Sequence, residues 1–128
     1  MSNMIIVLQS ADIWLLLSID AQEGVYSSVY DGITDTADCI NHTRPTEDEI
    51  EDGFTRLLQV GYIEARNQDV TLTEKGRQVV LEARQSSPYC LRQWDFLKEK
   101  LSKGFPKMNE IEYKLEKRVW PRNSKMLK

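Results

Sequence analysis

The chain has 128 residues, of which 41% are apolar and 29% charged, with a formal net charge of −3 at pH 7. That length supports one domain with a small helical appendage, and that apolar fraction excludes wholesale disorder. The two cysteines, Cys39 and Cys90, follow no framework spacing, so reduced thiols in a cytoplasmic protein are expected.

The run from Met4 to Ile19 is very apolar but interrupted by Gln9, Ser10 and Asp12. It is too short to span a bilayer comfortably, and no basic residue precedes it as in a secretory signal. It reads as a short lead-in and a central, buried helix capped by Ser10 and ending near Gln22. Gly24 breaks it. A second helix is expected over about Ser28–Asn41, with Val29, Ile33, Ala37 and Ile40 on one face. After the turn His42–Pro45, Thr46 and Glu49 carry the signature of a capping box. The helix they open places Ile50, Phe54, Leu57 and Leu58 on one face, and Gly61 ends it.

Two short alternating runs follow, YIEA and VTLT, joined by Arg66-Asn67-Gln68-Asp69. They predict a β-hairpin with a polar tip. Thr73 caps the next helix, to about Gln85, with Val79, Val80 and Ala83 inward. Ser87-Pro88 predicts an N-cap and first-turn proline for a helix carrying Leu91, Trp94, Leu97 and Leu101 as a stripe. Gly104 and Pro106 stop it. Asn109 and Glu112 are expected to cap a last helix ending before Pro121.

A helix, a hairpin and a helix in succession make a recognition helix followed by a wing. The run RLLQVGYIEARNQDVTLTEKGRQVV resembles the core of winged helix-turn-helix regulators of the MarR and PadR type. The residues that carry the likeness are Leu57, Leu58, Gly61, Tyr62, Ile63, Leu72, Thr73, Gly76 and Arg77. The resemblance implies a mainly α fold with a small β-hairpin wing, a winged-helix domain over residues 1–86, and a C-terminal helical extension with a basic tail over 87–128. It also implies a dimeric transcription regulator that binds duplex DNA. Arg44, Thr55, Arg56 and Gln59 would serve the helix-turn-helix, and Arg66, Asn67 and Gln68 the wing. Leu91, Trp94, Leu97 and Leu101, with the lead-in Met4–Leu8, would form the homodimer; the competing expectation is that the stripe packs back on the first helix.

Charge placement argues in another direction. Residues 1–94 hold 7 Lys/Arg against 15 Asp/Glu, whereas residues 95–128 hold 10 against 5. Phosphate contacts supply most non-specific DNA affinity and need cations. The outward arc of the recognition helix instead presents Asp48 and Asp52 near its N-terminal end. The alternative function is therefore a winged helix that serves as a protein-interaction module, its acidic surface facing a basic partner. The basic C-terminal piece mixes Lys114, Lys117, Arg118, Arg122, Lys125 and Lys128 with Tyr113 and Trp120. It offers DNA cations in the first reading and a solvated tail in the bland one. His42 lies near Cys39 and Asp38, but zinc needs three or four ligands and no second such pair lies nearby. Neither a phosphate-cradling glycine loop nor a nucleophile elbow occurs. Neither enzyme activity, metal nor cofactor is expected.

Overall fold

The computed structural model describes residues 4–22, 33, 46–66 and 69–115. Within them the fold is mainly helical. Its elements are β1 (Ile5–Val7), α1 (Ser10–Gln22), α2 (Glu47–Gln59), β2 (Ile63–Arg66), β3 (Asp69–Leu72), α3 (Glu74–Ser86), α4 (Cys90–Lys100) and β4 (Gly104–Pro106). The strands form two small antiparallel sheets, β1 with β4 and β2 with β3. The second helix expected over 28–41 lies outside the described residues except for Ile33, which is helical and buried.

α1 is central because almost every side of it is apolar. Ile13, Leu15, Leu16, Leu17 and Ile19 are all closed off from solvent. Its cap differs from expectation. Asp12 reaches back to accept from the N–H of Gln9 at 2.8 Å, and the Asp12 and Ile13 amides both donate to the Gln9 carbonyl. Gln9 therefore caps the helix, and Ser10 already lies in its first turn. A carboxylate in this position satisfies an orphan donor and faces the positive end of the helix dipole.

α2 begins as the sequence indicates. The Thr46 hydroxyl accepts from the Glu49 N–H at 3.1 Å, and the Glu49 carboxylate accepts from the Thr46 N–H at 2.9 Å. Its apolar face, with Ile50, Phe54, Leu57 and Leu58, is buried against α1. Gly61 takes φ +86°, the left-handed region that suits a residue without Cβ. Its N–H donates to the Leu58 carbonyl at 3.1 Å and that of Tyr62 to Leu57 at 3.0 Å, the paired bonds of a Schellman ending. The chain is thereby turned straight into the hairpin.

The β2–β3 pairing runs Ile63↔Leu72, Glu64↔Thr71, Ala65↔Val70 and Arg66↔Asp69. The strands reach one residue further toward the tip than the expected runs. Alternation puts Ile63, Val70 and Leu72 in the core, with Glu64, Arg66, Asp69 and Thr71 outside. Thr73 then caps α3, its hydroxyl accepting from the Gly76 N–H at 3.1 Å while donating to the Gly61 carbonyl at 2.7 Å. One hydroxyl thus ties the end of α2 to the start of α3.

α4 starts two residues later than Ser87-Pro88 suggests. Tyr89 occupies the N-cap without a side-chain bond, and the Ser87 hydroxyl instead accepts from the Tyr89 N–H at 3.1 Å. Arg84 joins three helices: it donates to Asp20 of α1 at 2.6 and 2.9 Å and to the side-chain oxygen of Gln93 in α4. Cys90 is disulfide-bonded, which departs from the expectation of reduced thiols. Among the described residues, no helix is long and apolar enough to cross a membrane.

The last expected helix does not begin where Asn109 and Glu112 would cap it. Residues 107–115 carry no regular secondary structure. β4 pairs with β1 in the register Ile5↔Pro106, Ile6↔Phe105 and Val7↔Gly104. Beyond it the Lys107 N–H donates to the Met4 carbonyl and the Met108 N–H to the Gln59 carbonyl. The chain is thereby handed from the small sheet to the C-terminal end of α2, and it travels back along that helix.

Candidate nucleic-acid interface

The outward arc of α2 is where a DNA reader would meet the major groove. Of the residues expected there, Asp48 and Asp52 are exposed. The others are engaged within the chain. Arg56 bends toward α1 and grips Asp12 with both prongs, Nε to Oδ2 at 2.6 Å and a terminal nitrogen to Oδ1 at 3.0 Å. The Asp12 side chain is 0% exposed and that of Arg56 28%. A carboxylate so deep in the core needs this partner, because an unpaired buried charge is very unfavourable. The hydrogen bonds that Arg56 donates to Asp12 raise the guanidinium pKa against the opposing effect of burial. Arg56 is thus a partly exposed cation paired with a buried carboxylate of α1.

Thr55 and Gln59 meet the segment 107–115. The Thr55 hydroxyl accepts from the Tyr113 N–H at 3.0 Å and approaches the Tyr113 carbonyl at 3.5 Å. The Gln59 amide donates to the Ile111 carbonyl at 3.4 Å, and Glu51 accepts from the Leu115 N–H at 2.9 Å. The register is physically simple. Two residues of extended chain advance about 6.6 Å, and four residues of helix advance about 6 Å. Residues 111, 113 and 115 therefore meet residues 59, 55 and 51 in turn. Tyr113, 3% exposed, stands edge-on to Phe54 with ring centroids 4.9 Å apart. At the far end Asn109 donates to the Leu58 carbonyl at 2.9 Å, and Lys75 donates to the Val60 carbonyl at 3.0 Å. Lys75 satisfies a carbonyl at the end of the helix, and Asn109 adds a second donor to the Leu58 carbonyl that already takes the Gly61 N–H.

The hairpin presents a mixed surface. Arg66 is exposed, but its cross-strand partner is Asp69, and Glu64 lies on the same outer side. Arg44, Asn67 and Gln68 lie outside the described residues, as do Lys117, Arg118, Trp120, Arg122, Lys125 and Lys128 of the basic tail.

The stripe expected at a dimer interface is split. Leu97 and Leu101 are buried within the chain, at 0% and 3% exposure, so neither is open to a second subunit. Trp94 is half-buried edge-on against Trp14, and its indole N–H donates to the Ser10 carbonyl at 3.3 Å. Leu91 alone of the four is exposed. The stripe packs back on α1 because α1 has apolar residues on that side as well.

Sequence reasoning missed Asp12, Glu51 and Tyr113 as the partners that decide what α2 can do. Asp12 had a signal: a carboxylate next to the apolar run Ile13–Leu17 of a buried helix requires a cation as partner. Tyr113 had none, because the segment around it carries helix-capping residues and no strand alternation.

Comparison of the chain with protein-family models, curated proteins and solved structures finds no match.

Proposed function

We propose that this chain is a protein-interaction module of winged-helix type, and that it does not read duplex DNA through α2. The observation that carries this reading is the internal use of Thr55, Arg56 and Gln59, the described α2 residues expected to meet DNA. Asp48, Glu49 and Asp52 remain on the open end of the same helix. Carboxylates repel phosphate and attract Lys and Arg, so this end suits a basic protein surface. The order of α2, hairpin and α3, with its Gly61 turn and Thr73 cap, supports the winged-helix likeness.

The test uses fluorescence anisotropy with two probes, a random-sequence DNA duplex and a lysine-rich peptide, across a salt series. The expected result is no measurable duplex affinity at physiological salt. Peptide binding should weaken with salt and fall in the Asp48→Asn/Asp52→Asn variant. Duplex binding that loses about one unit of salt slope in Arg66→Ala would restore the DNA-binding reading.

A further inference from the structure

We propose that the free edge of β1 pairs antiparallel with the same edge of a second copy of this chain, so that two β1–β4 ribbons join into one continuous sheet. The inference goes beyond the interaction-module reading and makes no use of α2. Among the described residues β1 has a strand partner on one side only, β4. Ladder bonds alternate along an antiparallel pair. The Lys107 N–H donates to the Met4 carbonyl, so the bonds to β4 fall at Met4 and Ile6. The N–H and C=O groups of Ile5 and Val7 therefore point the opposite way. The Val7 carbonyl meets only the amide of the exposed Gln9, at 3.2 Å, and the other outward groups have no partner among the described residues. Ile5 and Val7 are themselves 57% and 54% exposed.

Charge and spacing decide what fits this edge. Edge strands of monomeric proteins are usually guarded by charges, prolines or bulges. β4 is guarded: Pro106 has no N–H to offer on its outer edge, and Lys103 and Lys107 flank the strand. β1 is not, since no charged side chain occurs from Met4 to Ala11. An uncharged edge gives an acidic or basic partner nothing to hold, and it lets like meet like without repulsion. The spacing is self-complementary as well. With a two-fold axis at Ile6, Ile5 lies opposite Val7 of the second copy, and the two residues exchange both backbone bonds. Every outward group of the pair is then used. Ile5 and Val7 also become cross-strand neighbours on the solvent face, where apolar pairs are stabilising. Because β4 closes the far edge of each ribbon, the assembly ends at a dimer and does not grow into a fibre.

Sedimentation of the full chain tests this. Pairing through so short a strand buries less than about 1,200 Å², so the dimer is expected to form weakly, between about 10 µM and 1 mM. The weight-average mass should rise over that range from 14.9 kDa toward twice that value. Val7→Pro removes an outward N–H, leaves the bonds to β4 in place, and should weaken dimerisation at least about ten-fold. Ile5→Lys should weaken it to a similar extent by setting like charges on either side of the axis. A mass that stays at 14.9 kDa throughout overturns the proposal, as does a dimer that either folded variant leaves intact. Hydrogen exchange of the wild-type chain decides the matter should the variants not fold. The Ile5 and Val7 amides should exchange at least about three-fold more slowly in concentrated than in dilute solution, while the Ile6 amide, which faces β4, exchanges alike in both. Exchange at Ile5 and Val7 that does not change with concentration overturns it equally.

Discussion

The pairing of Asp12 with Arg56 is the residue-level fact that redirects the functional reading. On a helical wheel Arg56 belongs to the outward arc of α2, and its long side chain was free to point either way. What decides its direction is a buried carboxylate on α1, and no helical wheel of α2 contains that information. The sequence therefore shows the type of residue a DNA reader needs, while the packing shows where its charge is used. Replacing Arg56 with Met keeps the apolar stem and removes the charge, leaving Asp12 in the core without its main partner. The expected destabilisation is about 3 kcal/mol, near the lower end for breaking a buried pair, because Arg56 is partly exposed and Asp12 keeps its bond from Gln9. Adding Asp12→Asn to Arg56→Met should recover part of that loss. Chemical denaturation of the two variants checks it, and a loss under about 0.5 kcal/mol in the single variant would show that the pair behaves as a surface ion pair.

At the scale of elements, legibility follows the range of the interactions. α2, the hairpin and α3 were readable because their signals are local: a capping box at Thr46, a glycine turn at Gly61, alternation on either side of the tip, and a threonine cap at Thr73. The start of α4 was less so, because Ser87 and Tyr89 both accommodate an extended backbone and Pro88 fits several turns. The segment 107–115 was misread altogether. Asn109 and Glu112 do have the spacing of a cap, yet Asn109 is taken up by the Leu58 carbonyl at the end of α2. A tertiary contact outweighed the local preference. The reciprocal cap at Thr46 offers a test of how much the local code contributes. Thr46→Ala should lower stability by about 1 kcal/mol, measured by thermal or denaturant unfolding. Glu49→Ala should remove a comparable share, and the double change should fall short of the sum because both residues belong to one motif. Strict additivity would mean that the two hydrogen bonds act independently.

For the whole molecule, the expectation of a winged-helix unit followed by a separate extension meets a different pattern of contacts. β1, at the start of the described chain, pairs with β4, near its end. α4 packs against α1 and α3, and Arg84 bridges all three through Asp20 and Gln93. Residues 108–115 then bind back onto α2. Every part of the C-terminal third that the structure describes thus closes on an element from the N-terminal half. A boundary near residue 86 would cut through the Leu97 and Leu101 side of the core, exposing residues now buried. Such interleaving predicts a single cooperative transition, as small domains with one core usually show. The fluorescence of Trp14 and Trp94, which lie edge-on with centroids 5.7 Å apart, reports the α1–α4 contact. Far-ultraviolet circular dichroism reports all the helices at once. The two curves should superimpose through denaturant unfolding, and the calorimetric and van't Hoff enthalpies should agree. A fluorescence change that precedes the loss of helix would instead mean that α4 leaves α1 before the rest unfolds. In that case the C-terminal third is an appendage that docks on a self-sufficient N-terminal unit, and residues 107–115 would leave α2 as part of a much larger release.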